Sequence, residues 1–127
     1  MIRRSMKLND RCLLFFVKYP EKGKVKSRLA DSIGDDLAVS VYKNIVDQML
    51  STLKERTFPL YIYFFPKNAQ KPIRNWLGRE YRYMPQHGKD LGERMRNGFF
   101  DGFSMGYKRV VLIGSDIPDL SINYFEE

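Results

Sequence analysis

Residues 12–17, Cys-Leu-Leu-Phe-Phe-Val, are apolar without interruption until Lys18 and Pro20, as expected for a strand buried on both faces of a parallel sheet. From Asp36 to Lys54 the apolar residues recur at Leu37, Val41, Ile45, Met49 and Leu53, a column at i+4 flanked by Ala38, Tyr42, Val46 and Leu50. That period predicts an amphipathic helix. Asp35 suits its N-cap, and Gly34 suits the C-cap of a short helix before it. Leu60 to Phe65, aromatic and β-branched between Pro59 and Pro66, predicts a second strand, and Asn68 to Leu77 a short helix with Trp76 turned inward. Tyr81 to Met84 reads as a brief strand. Asp90 to Met105 reads as a helix with Leu91, Met95, Phe99 and Phe103 at i+4 spacing. Val110 to Ile113 reads as a fourth strand, followed by Gly114-Ser115-Asp116, and Ser121 suits the cap of a last helix that has barely begun at Glu127.

The order β-α-α-β-α-β-α-β-α predicts an α/β chain: a mostly parallel sheet with helices on its faces, a three-layer α/β/α sandwich. In such sheets ligands bind beyond the carboxyl ends of the strands. Two segments rich in functional groups, 18–28 and 114–119, both follow strands there, so they are able to converge across the length of the chain.

Composition narrows the partner. With 127 residues, 43% hydrophobic, one domain spanning 1–127 is expected, and 22 Lys+Arg against 15 Asp+Glu give a net charge of +7. That excess favours an anionic partner. The basic start, Met1 to Lys7, followed by Leu13 to Val17 resembles a signal peptide only superficially. The apolar run is too short for one or for a membrane span, and a cytoplasmic location is expected. Cys12, the single cysteine, excludes an internal disulfide, and packing is its expected role.

Three segments carry candidate chemistry. Lys18 to Arg28 places Lys18, Lys22, Lys24, Lys26 and Arg28 in a loop and helix start after a buried strand, with Gly23 allowing close backbone approach. Such a loop suits a phosphate. A solvated basic loop is the alternative, and the spacing is not that of a P-loop. Asp116, after the fourth strand, stands where a carboxylate is hard to explain by packing and is able to hold Mg²⁺ or Mn²⁺ against a diphosphate. Turn chemistry before Pro118 is its alternative, and Asp119 reads the same way. In Gln86 to Met95, Asp90 and Gly92 are candidate nucleotide contacts: Asp90 also suits a helix cap, and Gly92 in the first turn is costly unless a base, a ribose or tight packing must approach the backbone there. His87 has no second His or Cys to complete a zinc site and reads as a loop residue; Arg94 and Arg96 read as a solvated helix face. The aromatics Tyr61, Tyr63, Phe64 and Phe65 read as core, since no RNP motif accompanies them, and a nucleic-acid partner is not expected.

Taken together, Phe16 to Leu29, Gln86 to Met95 and Ile113 to Leu120 resemble, in order and spacing, a bacterial family of glycosyltransferase-like proteins often called radical-SAM/selenodomain-associated transferases. The resemblance implies a GT-A fold of the nucleotide-diphospho-sugar transferase type, with nucleotide phosphates held by Gly23, Lys24, Lys26 and Arg28 and the divalent metal by Asp116. Ser27 stands where the family usually has Thr, and Ile117 where it has Cys. Family members continue well beyond the Asp-Leu segment, so this chain matches their N-terminal, nucleotide-binding part and is expected to be C-terminally truncated, with an exposed sheet edge and a tendency to self-associate. The expected function is transfer of a sugar or nucleotidyl group from a nucleotide or nucleotide-sugar to an acceptor the sequence does not identify. The alternative is a non-catalytic nucleotide- or anion-binding module acting through a protein or nucleic-acid partner.

Overall fold

The computed structural model describes residues 10–22, 25 and 27–115, and the side chains of 27–29 are not among them. The chain runs β1 (Arg11–Lys18), α1 (Ser27–Ile33), α2 (Asp35–Thr52), a 3₁₀ turn (Leu53–Glu55), β2 (Leu60–Phe65), α3 (Gln70–Leu77), β3 (Arg82–Pro85), α4 (Leu91–Ser104) and β4 (Arg109–Gly114). All four strands are parallel, in the order β3-β2-β1-β4. The predicted order of elements is therefore observed through the fourth strand, and the helix expected from Ser121 lies outside the described residues.

β1 is central because six consecutive residues, Cys12 to Val17, are buried. Alternate side chains point to opposite faces, so β1 serves two cores. Leu13, Phe15 and Val17 join Leu60, Ile62 and Phe64 of β2, Tyr42, Val46 and Leu50 of α2, and Ile73 of α3. Cys12, Leu14 and Phe16 join Tyr61 and Tyr63 on the other face, against Met95 of α4 and Tyr107. The result is helix, sheet, helix: α2 and α3 on one face, α4 on the other, with α1 against α2.

Both long helices turn a different stripe inward from the one their i+4 columns suggest. In α2 the buried residues are Ala38, Tyr42, Val46 and Leu50, while Leu37 is 53% exposed. The flanking stripe wins because the Tyr42 ring reaches the end of β1 while its hydroxyl finds polar partners there. In α4 the buried residues are Gly98 and Gly102, and Phe103 is half exposed. A Cβ at Gly102 would lie 2.6 Å from Val110 Cγ2, and one at Gly98 would lie 3.3 Å from the Phe16 ring. The helix thus lies on the sheet through Gly98 and Gly102, with Met95 of the predicted column also packed on that core while Leu91 and Phe103 stay exposed.

The cap of α2 also differs from expectation. Gly34, at φ 93°, occupies the N-cap position, and Asp35 is the first helical residue, without a side-chain cap bond. Asp35 and Asp36 instead place negative charge in the first turn, where the helix dipole favours it. Gly34 does close α1 as expected, its N–H donating to the Ala30 carbonyl at 2.8 Å. Among the described residues, β3 and β4 form the sheet edges; on β4, Arg109 is exposed and Val111 is 43% exposed.

Candidate functional site at the carboxyl end of the sheet

The strand order reverses beside β1: β2 and β3 extend to one side of it, and β4 returns to the other. A crevice opens at the carboxyl ends of such a pair, because the connections leave in opposite directions. Here that point lies between Lys18, which ends β1, and Gly114-Ser115, which ends β4. Phe16 pairs with Gly114, and the Ser115 N–H donates to the Phe16 carbonyl at 3.2 Å. Of the two segments that sequence alone marked as able to converge, the described ends, Lys18 and Gly114-Ser115, line one cleft.

A chain of hydrogen bonds fixes the floor. The Lys18 N–H donates to the Tyr42 hydroxyl at 2.7 Å, and that oxygen lies 2.7 Å from Ser115 Oγ, which donates to the Phe16 carbonyl at 3.2 Å. Each hydroxyl has one proton, so the Ser115 bond to Phe16 leaves Tyr42 to donate to Ser115. The polar groups at the bottom of the crevice are thereby paired with one another, and α2 is tied to both strands.

Above this floor lies a cleft of about 90 Å³ lined by Lys18, Phe65, Gln86, Leu91, Arg94 and Ser115, with Phe16, Leu112 and Gly114 behind them. Arg94 dominates it. Its guanidinium carbon lies 4.3 Å from the centre of the Phe65 ring, and Nε donates to Gln86 Oε1 at 3.1 Å. Gln86 is 6% exposed and is itself held, its Nε2 donating to the Tyr63 carbonyl at 2.8 Å. A guanidinium stacked on a ring and hydrogen-bonded to a buried amide is a preorganised cation, about 0.5–2 kcal/mol coming from the ring contact. This corrects the expectation that Arg94 belongs to a solvated face. The helix carrying Arg94 starts against a loop that needs Gly88: at φ 141°, an added Cβ would lie 2.8 Å from the Arg94 backbone nitrogen.

Asp90 is the N-cap of α4, its Oδ1 accepting the Glu93 N–H at 2.8 Å, while Glu93 Oε1 accepts the Lys89 N–H at 2.8 Å. One Asp90 oxygen is thus committed to the helix. Gly92 is not required by packing, since a Cβ there would meet nothing closer than Asp90 Oδ1 at 3.6 Å. His87 Nε2 lies 3.2 Å from Asp101 Oδ2, which also accepts from the Tyr63 hydroxyl at 3.1 Å. Burial, reinforced by the Asp101 charge and hydrogen bond, pushes the Tyr63 phenol well above its ordinary range, so it remains a donor.

Of the remaining expected residues, Gly23, Lys24, Lys26 and Asp116 lie outside the described residues, and of Arg28 only its place in α1 is described. The 18–28 loop is anchored by Val25, 1% exposed in the larger core. Lys22 pairs with Asp36 at 2.7 Å; both are exposed, and the partner raises the Lys22 pKa. Burial pushes the Cys12 thiol up to about 11, which agrees with a packing role. No group of three or more His, Cys, Asp or Glu able to hold a metal occurs among the described residues, and no helix among them is long and apolar enough to cross a membrane.

The strand order and its switch-point crevice define an α/β fold with a cleft at the carboxyl end of its sheet. The match is to a crystal structure from Desulfovibrio desulfuricans G20, described as a candidate nucleotide-diphospho-sugar transferase, with TM-score 0.82 and 42% identity over 93% of this chain. The chain spans about half the length of that protein, 52% of it. Residues 46–127 match the family described as "uncharacterized protein conserved in bacteria (DUF2064)", and the chain belongs to this family. Neither match carries the radical-SAM or selenodomain association that the resemblance suggested. No functionally curated protein matches the chain.

Proposed function

We propose that this chain is the nucleotide-binding part of a transferase that holds a nucleotide or nucleotide-sugar, with a divalent metal, in the crevice between β1 and β4 and passes on the sugar or nucleotidyl group. The observation that carries this reading is the placement of Lys18, Arg94, Gln86 and Ser115 around one cleft at the switch point, in a fold shared with a candidate nucleotide-diphospho-sugar transferase. The described cleft, about 90 Å³, is smaller than the roughly 300–1,000 Å³ of ligand pockets in general. In this reading it is the inner end of the site, and Gly23, Lys24, Lys26, Arg28 and Asp116 supply the further contacts to the ligand.

A divalent cation of the kind nucleotides carry is part of this reading. Gln86 and Ser115 offer neutral oxygens already engaged with Arg94 and Tyr42, so the carboxylate comes from Asp116, next in the chain to Ser115. One carboxylate together with phosphate oxygens and water is how Mg²⁺ is usually held in nucleotide enzymes. When bound, the cation neutralises charge that develops on the departing diphosphate. Arg94, locked by Phe65 and Gln86, does part of the same work as a fixed positive charge that needs no reorganisation. Lys24, Lys26 and Arg28 complete the phosphate contacts, Gly23 and Gly92 let the ligand near the backbone, and Asp90 holds the start of α4 in place.

The test is a thermal-shift titration with UDP-, GDP-, ADP- and CDP-sugars and the nucleoside triphosphates, each with and without Mn²⁺, since a ligand that binds only the folded state raises its melting temperature. A Mn²⁺-dependent rise for one base is expected and names the donor class. No rise with any of them, from protein shown to be folded, overturns the proposal.

A further inference from the structure

A second cavity lies at the opposite, amino end of the sheet, where the chain enters β2 and β3 and where Tyr107 precedes β4. It is open, with a volume of about 500 Å³, and its described lining includes Lys54, Arg56, Arg82, Glu80, Phe58 and Tyr107. Three cations therefore face one carboxylate. Nucleotide crevices of α/β sheets occupy the carboxyl end, so this cavity is separate from the site proposed above and does not depend on it.

The two guanidinium groups are held in place rather than merely nearby. Arg82 Nη1 donates to the Tyr61 hydroxyl at 3.1 Å, and that hydroxyl lies 2.8 Å from the Tyr107 hydroxyl. Arg56 stacks over Tyr81 at 5.8 Å and donates from Nη1 to the Leu53 carbonyl at 3.2 Å, while its Nε is shielded from solvent without a hydrogen-bond partner. Protein oxygens thus compensate the Arg56 charge only in part. Burial keeps the Tyr107 phenol protonated and able to donate, the Tyr61 hydroxyl adding to the effect. Ordered guanidinium groups beside a phenol donor are the chemistry that recognises a phosphate.

We infer that this cavity binds a small phosphomonoester, with the phosphate among Lys54, Arg56 and Arg82 and the organic body against Phe58 and Tyr107. A phosphate alone would leave most of 500 Å³ to solvent, which is the reason for assigning an organic body to the ligand. Neither a second nucleotide nor a polymer is needed to satisfy a net excess of two positive charges in an open cavity of this size.

Isothermal titration of the full chain with a hexose phosphate and, separately, with inorganic phosphate tests the inference. The comparison uses the wild type, Lys54→Gln with Arg82→Gln, and Arg94→Gln at the other end of the sheet, each shown by circular dichroism to be folded. The expected result is saturable hexose phosphate binding that weakens at least tenfold in the Lys54/Arg82 variant and stays within twofold in Arg94→Gln, with inorganic phosphate binding more weakly. Absence of saturable binding, or equal affinity in the Lys54/Arg82 variant, overturns the site. Loss in Arg94→Gln would place the phosphate in the other crevice and overturn it equally. Equal affinity for inorganic phosphate overturns the assignment of an organic body.

Discussion

The Tyr42 hydroxyl and Ser115 Oγ, 73 positions apart, lie 2.7 Å from each other and join a helix to the ends of two neighbouring strands. Because Tyr42 also accepts from the Lys18 N–H and Ser115 donates to the Phe16 carbonyl, the four groups act as one unit. Tyr42→Phe and Ser115→Ala are each expected to cost about 1–3 kcal/mol, the penalty for disturbing a buried polar partner. The double variant should cost clearly less than the sum, since both remove the same bond. Urea unfolding of the three variants checks this; strict additivity would show that the pair is not coupled.

Gly102 sets the distance between α4 and β4. With a Cβ only 2.6 Å from Val110 Cγ2, Gly102→Ala is expected to destabilise by about 1–3 kcal/mol through overpacking, although alanine is the better helix former. Adding Val110→Ala should recover part of the loss. Gly92→Ala, with nothing closer than 3.6 Å, should leave stability unchanged or raise it by up to about 1 kcal/mol, and any effect should appear in nucleotide affinity instead.

Much of this arrangement was legible along the chain, and the places where it was not have definite causes. The strands were readable because β1 and β2 are buried on both faces and so carry unbroken apolar runs. Asp90 announced its cap through its place before an apolar-periodic segment. The inward face of α4 was hidden because a count of large apolar residues rewards Phe103 and ignores Gly98 and Gly102, whose value is the absence of a side chain. Arg94 was hidden because Phe65 on β2 reaches it only through the strand order, while the bond to Gln86 depends on how the short connection from β3 folds back. The one available signal was Gly88, a glycine demanded by close approach to the helix start that carries Arg94.

Cys12 gives a pH test with a definite sign. Its thiol is 1% exposed, and burial raises its pKa to about 11 from 9.0. A raised pKa means that the folded state keeps its proton while the unfolded chain loses it. This contribution to stability is therefore complete below about pH 9 and is lost as pH rises toward about 11. Alkylation of the native protein at pH 8 should be at least tenfold slower than after denaturation. Equal rates would mean that the β1 strand opens freely.

Arg94 separates charge from shape. Arg94→Lys keeps the charge but gives up the planar fork that Phe65 and Gln86 hold, so it should bind nucleotide nearly as poorly as Arg94→Gln, about tenfold below the wild type. Full retention by lysine would show that only charge matters at this position. Both variants should unfold within about 1 kcal/mol of the wild type, because Arg94 is only half-buried.

The proposal made for the crevice between β1 and β4 is that it holds a nucleotide with the help of the anchored Arg94 and of a metal bound by Asp116. Calorimetric titration of the preferred nucleotide into wild type and Asp116→Ala, with and without Mn²⁺, tests it most directly. Mn²⁺ is expected to tighten binding to the wild type at least tenfold and to leave Asp116→Ala unchanged, with the variant as stable as its parent. Equal enhancement by Mn²⁺ in both proteins would contradict it.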